Sequence, residues 1–296
     1  MKPSVAIILV NYNGFSDTVE CIKSLQNIYY EKYTIYVIDN ASTQKPREDE
    51  LQFIKNNSVY IEERNNLGFS GGNNVGIKLA LERDFDYILL LNNDTVVEND
   101  FLDILVDVSL ANPNAGIVGG KIKYFSNPEL IWFGGGFFDK STGIADHEKY
   151  NQIDGDDGVE IRKISFMTGC LMLIPQKVIK EVGLLDDSYF LYAEDADFSC
   201  RVINKGFDIL YCNRSIIYHK VSASTGVLSD NITYYMTRNN LFLVKKYCIN
   251  PGSVLLKFMI KAIKDIIRGR KKAAPVIAGY CDFLLNIKGK RKNKEY

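Results

Sequence analysis

The run Val5-Ala6-Ile7-Ile8-Leu9-Val10, closed by Asn11-Tyr12-Asn13-Gly14, decides how the rest of this chain is read. Six consecutive apolar residues followed by a polar, turn-forming cluster describe a strand buried on both faces and ending in a loop. Val19, Cys21, Ile22 and Leu25 then recur at helical spacing. The same succession returns with Tyr33 to Ile38, the stop Asp39-Asn40-Ala41-Ser42 and a helical stretch around Leu51 to Ile54. A third round runs from Ser58 to Ile61 through a glycine-rich loop into a helix from Gly72 to Leu81, and a fourth strand, Tyr87 to Leu91, stops at Asn92-Asn93-Asp94. Such alternation predicts an α/β chain with a mostly parallel sheet flanked by helices. Ligands of these sheets bind outside the carboxyl ends of the strands. Asn11, Asp39, the stretch from Arg64 to Asn66 and Asp94 all fall at such ends, so four strands direct polar residues to one crevice.

Beyond residue 115 the alternation gives way to short strands (117–118, 131–133, 161–166, 170–174) separated by loops such as Gly134-Gly135-Gly136. A helix over 195–204 and strands over 208–212 and 216–219 follow, and from Asp230 the pattern is helical. With 46% apolar and 24% charged residues among 296, disordered and fibrous classes are excluded. Thirty-six basic residues balance 36 acidic ones, which argues against nucleic acid as a partner. The six cysteines show no CxxC pair or zinc spacing and are expected as reduced, buried thiols. The first apolar run is too short for a secretory leader, and nowhere do 18 apolar residues follow one another. A cytoplasmic chain, or one lying on a membrane surface, is the expectation.

Three polar segments carry chemistry. NNLGFSGGNN (residues 65–74) opens a helix, where backbone N–H groups and the helix dipole favour an anion; an ordinary helix cap explains it equally well. The spacing is not GxGxxG, which disfavours a dinucleotide site. Asn92-Asn93-Asp94-Thr95 places a carboxylate at a strand end, suited to a hard divalent cation or to a simple turn. YAEDADFSCR (residues 192–201) starts a helix with three carboxylates in four positions. Asp197 and Arg201 pair at i, i+4, leaving Glu194 and Asp195 to face the crevice. His219 ends an apolar strand, and His147 lies in a polar loop with no role apparent.

Taken in order, VNYNG, NNLGFSGGNN, LLNNDT, TGCLMLIP and YAEDADFSCR resemble the family 2 glycosyltransferases of the GT-A fold over residues 4–221, and within them the bacterial rhamnosyltransferase-like members. The resemblance implies an inverting, metal-dependent transfer of a sugar from a nucleoside-diphosphate donor, dTDP-rhamnose or alternatively a UDP-sugar, to a cell-surface polysaccharide or lipid-linked glycan. It implies that Asn11, Tyr12, Asp39, Arg64, Asn66, Asn92 and Asn93 surround the donor nucleotide. It implies that Asp94 and His219 hold Mn2+ or Mg2+, and that Asp195 is the general base with Glu194 beside it. Asn92 departs from the family's Asp-x-Asp form, an amide replacing the first carboxylate. A sugar nucleotidyltransferase and a noncatalytic sugar-nucleotide scaffold are the competing functions; retention of Asp94, Asp195 and His219 speaks against the second.

The expected organisation is a catalytic domain over 1–225, with a nucleotide-binding half (1–115) and an acceptor-binding half (116–225), and a basic helical tail over 226–296. Residues 253–296 hold 12 basic and three acidic side chains, so the first 252 carry 24 basic against 33 acidic. Lys257, Lys261, Lys264 and Arg268 form one stripe of an otherwise apolar helix. That is the pattern of a helix lying on anionic lipid, here at the inner face of the cell membrane, or of helices packing on the catalytic domain or joining a homodimer.

Overall fold

A computed structural model describes residues 2–155, 158–221 and 229–291. The expected boundary at 225 and the terminal Lys292 to Tyr296 lie outside the described residues. The first half follows the predicted alternation: β1 (Val5–Asn11), α1 (Phe15–Leu25), β2 (Tyr33–Asp39), α2 (Glu48–Asn57), β3 (Val59–Glu62), α3 (Gly68–Glu82), β4 (Tyr87–Asn92), the short β5 (Thr95–Val97) and α4 (Phe101–Ala111). β6 (Ala115–Tyr124), β7 (Ile131–Phe133), the hairpin β8 (Gly136–Asp139) and β9 (Ile144–His147), β10 (Ile161–Ile164) and β11 (Leu171–Pro175) form the middle. α5 (Gln176–Val182), α6 (Glu194–Asn204) and β12 (Asp208–His219) complete the sheet region, and α7 (Asp230–Tyr247), α8 (Pro251–Ile267) and α9 (Ala273–Leu284) follow.

The central sheet runs β10-β12-β6-β11-β4-β1-β2-β3. β1 pairs in parallel with β2 and β4, β2 with β3, and β6 with β12, while β11 runs antiparallel between β4 and β6. The register sets Asn11 beside Asp39 and Val10 beside Asn92, so the polar strand ends emerge along one edge. β1 and the first five residues of β4 are almost wholly buried, which is why they read as unbroken apolar runs.

Two strands differ from expectation. The pair 117–118 is part of a ten-residue strand, because Gly119 and Gly120 continue it. The two strands around 208–219 are one, irregular between Cys212 and Ile216, and its last turn of pairing sets His219 against Thr95 of β5. That pairing brings Asp94, one residue before β5, to the histidine. All six cysteines are free; four are buried, Cys248 is half-buried, and Cys281 is exposed, since it lies on the outer side of α9.

α7 is capped by the Ser229 side chain and carries α9 along its flank, where Phe242 meets Phe283 edge-on and the Tyr234 hydroxyl donates to Asp282 at 2.5 Å. α8 buries only Val254 fully. No helix among the described residues is long and apolar enough to cross a membrane.

Candidate functional site

A cleft of about 960 Å³ opens at the carboxyl edge of the sheet. It collects Tyr12, Asn66, Asn92, Asn93, Asp94, Glu194, Asp195 and His219, eight of the eleven residues singled out by sequence. Asn11 and Asp39 stand just behind the wall: Asn11 Nδ2 donates to Asp39 Oδ1 at 2.9 Å, and Asn11 Oδ1 accepts from the Thr18 hydroxyl at 3.1 Å. Arg64 is exposed and outside the cleft lining. The amide of Asn93 donates to Thr18 Oγ1 at 2.8 Å, tying the end of β4 to the start of α1.

Asp94 Oδ1 and His219 Nε2 lie 3.1 Å apart, and the Asn92 amide nitrogen is 3.4 Å from the same ring nitrogen. Adjacent ligands at right angles on an octahedral ion with bonds of about 2.1 Å are about 3.0 Å apart, so this pair fits a divalent cation. An imidazole beside the carboxylate favours Mn2+ over Mg2+. No grouping of three or more such side chains exists among the described residues. Burial works against a charge on His219, but Cys170 and the Asp94 carboxylate outweigh it and raise the pKa to about 10. A cation entering here displaces that proton.

The opposite wall is the start of α6. Asp195 Oδ1 accepts from the Ala196 N–H at 2.8 Å and Oδ2 from the Gly169 N–H at 3.1 Å. Burial raises its pKa against those donors. Glu194 is buried, its Oε2 lacks any hydrogen-bond partner among the described residues, and burial with the adjacent Asp195 charge raises its pKa further. The third carboxylate does what the i, i+4 spacing predicts. Fully buried Asp197 accepts from Arg201 Nε at 2.7 Å, and also from Lys246 Nζ at 2.6 Å and the Tyr247 hydroxyl at 2.7 Å. It thereby locks α6 to α7.

The approach to this acidic pair is strained. Phe190, Tyr192 and Ala193 all have left-handed backbones, with φ of 65°, 68° and 73°. Each such residue costs about 1 kcal/mol or more and persists only where its surroundings impose it. The imposing groups come from α7. Buried Asn239 Nδ2 faces the carbonyls of Tyr189, Leu191 and Tyr192 at 2.9, 2.8 and 2.9 Å, and Arg238 donates to Tyr189 O at 3.2 Å. Glycine permits the contact on the other side. Gly68 has φ +74°, and a Cβ there would lie 2.1 Å from Phe190 O.

The glycine-rich loop is thus not an open anion cradle. The N–H groups of residues 67, 68 and 69 are taken by Asn40 Oδ1, Asn66 Oδ1 and Phe190 O. Gly72 serves packing, since a Cβ would approach Val10 Cγ1 to 2.8 Å. Sequence reasoning also passed over His147. It lines the cleft, has its pKa lowered by burial, and packs edge-on to Trp132 at 4.6 Å, which meets His219 at the same distance. No sequence signal marked it. Asn231, Tyr235, Met236, Lys290 and Arg291 of the helical region line the cleft too, which the expected division into a catalytic domain and a tail did not anticipate.

The cleft lies where parallel strands give way to an antiparallel one, with the Asp94–His219 pair on one wall and the Glu194–Asp195 pair on the other. The profile of glycosyl transferase family 2 matches residues 6–183. The chain belongs to glycosyl transferase family 2 and is a glycosyltransferase. It is 25% identical over 245 residues to a low-salt glycan biosynthesis hexosyltransferase of Haloferax volcanii, covering 82% of this chain and 76% of the relative. It is also 25% identical over 245 residues to the dolichyl N-acetyl-alpha-D-glucosaminyl phosphate 3-beta-D-2,3-diacetamido-2,3-dideoxy-beta-D-glucuronosyltransferase of Methanococcus voltae, covering 78% and 71%. The crystal structure of GalNAc-T7 with UDP, GalNAc and Mn2+ superposes with a TM-score of 0.59 at 17% identity, over 80% of this chain. That likeness establishes the GT-A architecture. The chain spans about half the length of that structure.

Proposed function

We propose that this glycosyltransferase is inverting and metal-dependent, and moves a sugar from a nucleoside diphosphate to a cell-surface polysaccharide or lipid-linked glycan, with dTDP-rhamnose the favoured donor and a UDP-sugar the alternative. One observation carries the reading: the Asp94–His219 pair, 3.1 Å apart, and the Asp195 carboxylate line the same cleft. Asp94 and His219 hold Mn2+ or Mg2+, which supplies Lewis-acid stabilisation of the diphosphate leaving group. Tyr12, Asn66, Asn92 and Asn93 orient the nucleotide, with Asn11 and Asp39 bracing that wall. Asp195 accepts the proton of the acceptor hydroxyl as it attacks the anomeric carbon, and a single displacement inverts that centre. Its raised pKa makes it a better proton acceptor than an ordinary aspartate, while the Gly169 and Ala196 N–H groups fix its orientation. The Haloferax volcanii relative's name as a glycan biosynthesis hexosyltransferase, and the dolichyl-linked sugar phosphate in the name of the Methanococcus voltae relative, support a glycan acceptor.

The same reading places the protein on the inner face of the cell membrane. Leu256, Ile260, Ile263 and Ile267 of α8 are exposed at steps of four, three and four. Lys257, Lys261, Lys264 and Arg268 repeat those steps one residue later, about 100° round the helix, and are exposed as well. An outward apolar stripe edged by cations complements an anionic bilayer.

Thermal-shift titration with dTDP, UDP and GDP, with and without Mn2+, tests the function. The expected outcome is a metal-dependent rise in melting temperature with dTDP or UDP, through mass action on the folded state. No shift with any nucleotide in the presence of Mn2+ refutes it.

A further inference from the structure

We propose that Lys290 and Arg291 form a phosphate-binding site in the wall of the catalytic cleft, built by the chain segment that follows α9. This segment does not leave the protein. Gly289 N donates to Ser188 O at 2.6 Å, and Gly289 O accepts from Arg238 Nη1 at 2.8 Å. Gly289 has φ +76°, a backbone that side-chain-bearing residues rarely adopt. The Arg291 N–H then donates to the Tyr235 hydroxyl at 2.8 Å, and its guanidinium lies 4.4 Å from the Tyr234 ring centroid. The strap is therefore fastened to Arg238, the residue that also holds the strained loop before Glu194.

This anchoring presents Lys290 and Arg291 to the cleft beside Tyr192, Asn231 and Tyr235. Neither cation has a carboxylate partner among the described residues. The buried Arg238 beneath them is satisfied only by carbonyl, hydroxyl and amide oxygens, so its charge is not neutralised by a carboxylate either. Lys290 and Arg291 thus line a cleft whose own carboxylates, Asp94, Glu194 and Asp195, lie on other elements, while Arg238, buried outside the lining, holds the segment that carries them and reaches Asp282 only through the Tyr234 hydroxyl. Two cations carried on an anchored backbone, with no carboxylate partner among the described residues and one of them a guanidinium with its fork of donors, match a phosphoryl group. Two sources offer that chemistry: the diphosphate of the donor, and the phosphate of a lipid-linked acceptor. The assignment rests on the glycosyltransfer reading, and its test separates the two.

Calorimetry on the full chain with Mn2+ compares wild type with the Lys290→Ala/Arg291→Ala double variant and with the charge-keeping Lys290→Arg/Arg291→Lys. The probes are UDP, dTDP, uridine, thymidine, and octyl phosphate added to the protein saturated with nucleoside diphosphate. Loss of two charge-assisted contacts weakens one phosphate probe by at least about tenfold. The nucleosides are unaffected, and the charge-keeping variant stays within threefold of wild type. A weakened nucleoside diphosphate identifies the donor as the source, and weakened octyl phosphate the acceptor. Phosphate affinities of the alanine variant all within twofold of wild type overturn the proposal. If wild type binds neither nucleoside diphosphate, the functional reading fails, and octyl phosphate with the unliganded protein then decides the cation pair alone.

Discussion

Replacing Asp195 by Asn tests the acid wall of the cleft with almost no change of shape. The carboxylate receives two backbone N–H groups, from Gly169 and Ala196. An amide offers a carbonyl oxygen to one of them and turns its NH2 toward the other, a loss of about 1–3 kcal/mol. Against that, the variant removes a charge whose ionisation the buried site already opposes. Net stability therefore changes by less than about 2 kcal/mol, a few degrees in melting temperature. Turnover behaves differently, because an amide takes no proton. General-base assistance is worth about a hundredfold to ten-thousandfold, or about 2.7 to 5.5 kcal/mol in the barrier. The assay is release of nucleoside diphosphate in a single turnover with donor, Mn2+ and acceptor, paired with calorimetric binding of the nucleoside diphosphate. Binding within twofold of wild type and turnover lower by two or more decades is the expected result. Turnover within threefold of wild type, with binding intact, refutes the assignment of Asp195 as base.

Glu194→Gln is expected to keep turnover within about tenfold, because burial and the adjacent Asp195 charge push the Glu194 carboxyl well above the usual carboxylate range, toward the neutral form that glutamine imitates. The same variant alters stability against pH. A carboxyl with its folded pKa raised favours the folded state fully below the unfolded value near 4.5 and loses that contribution as pH rises through the folded value, so the variant's melting temperature falls less above pH 4.5 than that of wild type. Asp197→Asn leaves Arg201 and Lys246 without their buried partner and lowers stability by about 3 kcal/mol, read by urea denaturation. Asn239→Ala releases the carbonyls of the strained loop; kcat drops with nucleotide affinity unchanged, and equal loss of both argues for general misfolding instead. Wild type is expected to cosediment with anionic but not neutral vesicles at low salt, and Ile260→Ser/Ile263→Ser to abolish this; binding to neither vesicle removes the lipid reading of α8.

The parallel half of the fold was legible because each strand there is buried on both faces and each stop is polar. Asp94 and the Glu194-Asp195 pair were legible for the same reason, as carboxylates placed at element ends. The acidic helix start separated correctly into one structural and two cleft-facing carboxylates from spacing alone. The second half resisted because its strands pair out of sequence order: β6 pairs with β12, and the antiparallel β11 lies between β6 and β4. His147 resisted because its burial comes from Trp132, Phe133 and Phe166, rings whose convergence no local pattern announces. The glycines of residues 65–74 left two readings open, an anion cradle and an ordinary helix cap. Their density reads as a cradle for an anion, whereas Gly68 and Gly72 answer the close approach of Phe190 and Val10.

By itself the sequence determined the sheet's character and which edge carries the chemistry, since both follow from local periodicity and from the polarity of strand ends. It also determined that the charge is divided, an acidic catalytic region against a basic end. Only the tertiary structure decided which of those residues act together. His219 reaches Asp94 through the pairing of β12 with β5, across 125 positions of chain. The loop before Glu194 takes its strained form because Arg238 and Asn239 hold its carbonyls, and the basic terminus reaches the cleft because the same Arg238 holds Gly289. Such contacts join side chains distant along the chain, and their energy exists only once the elements have packed.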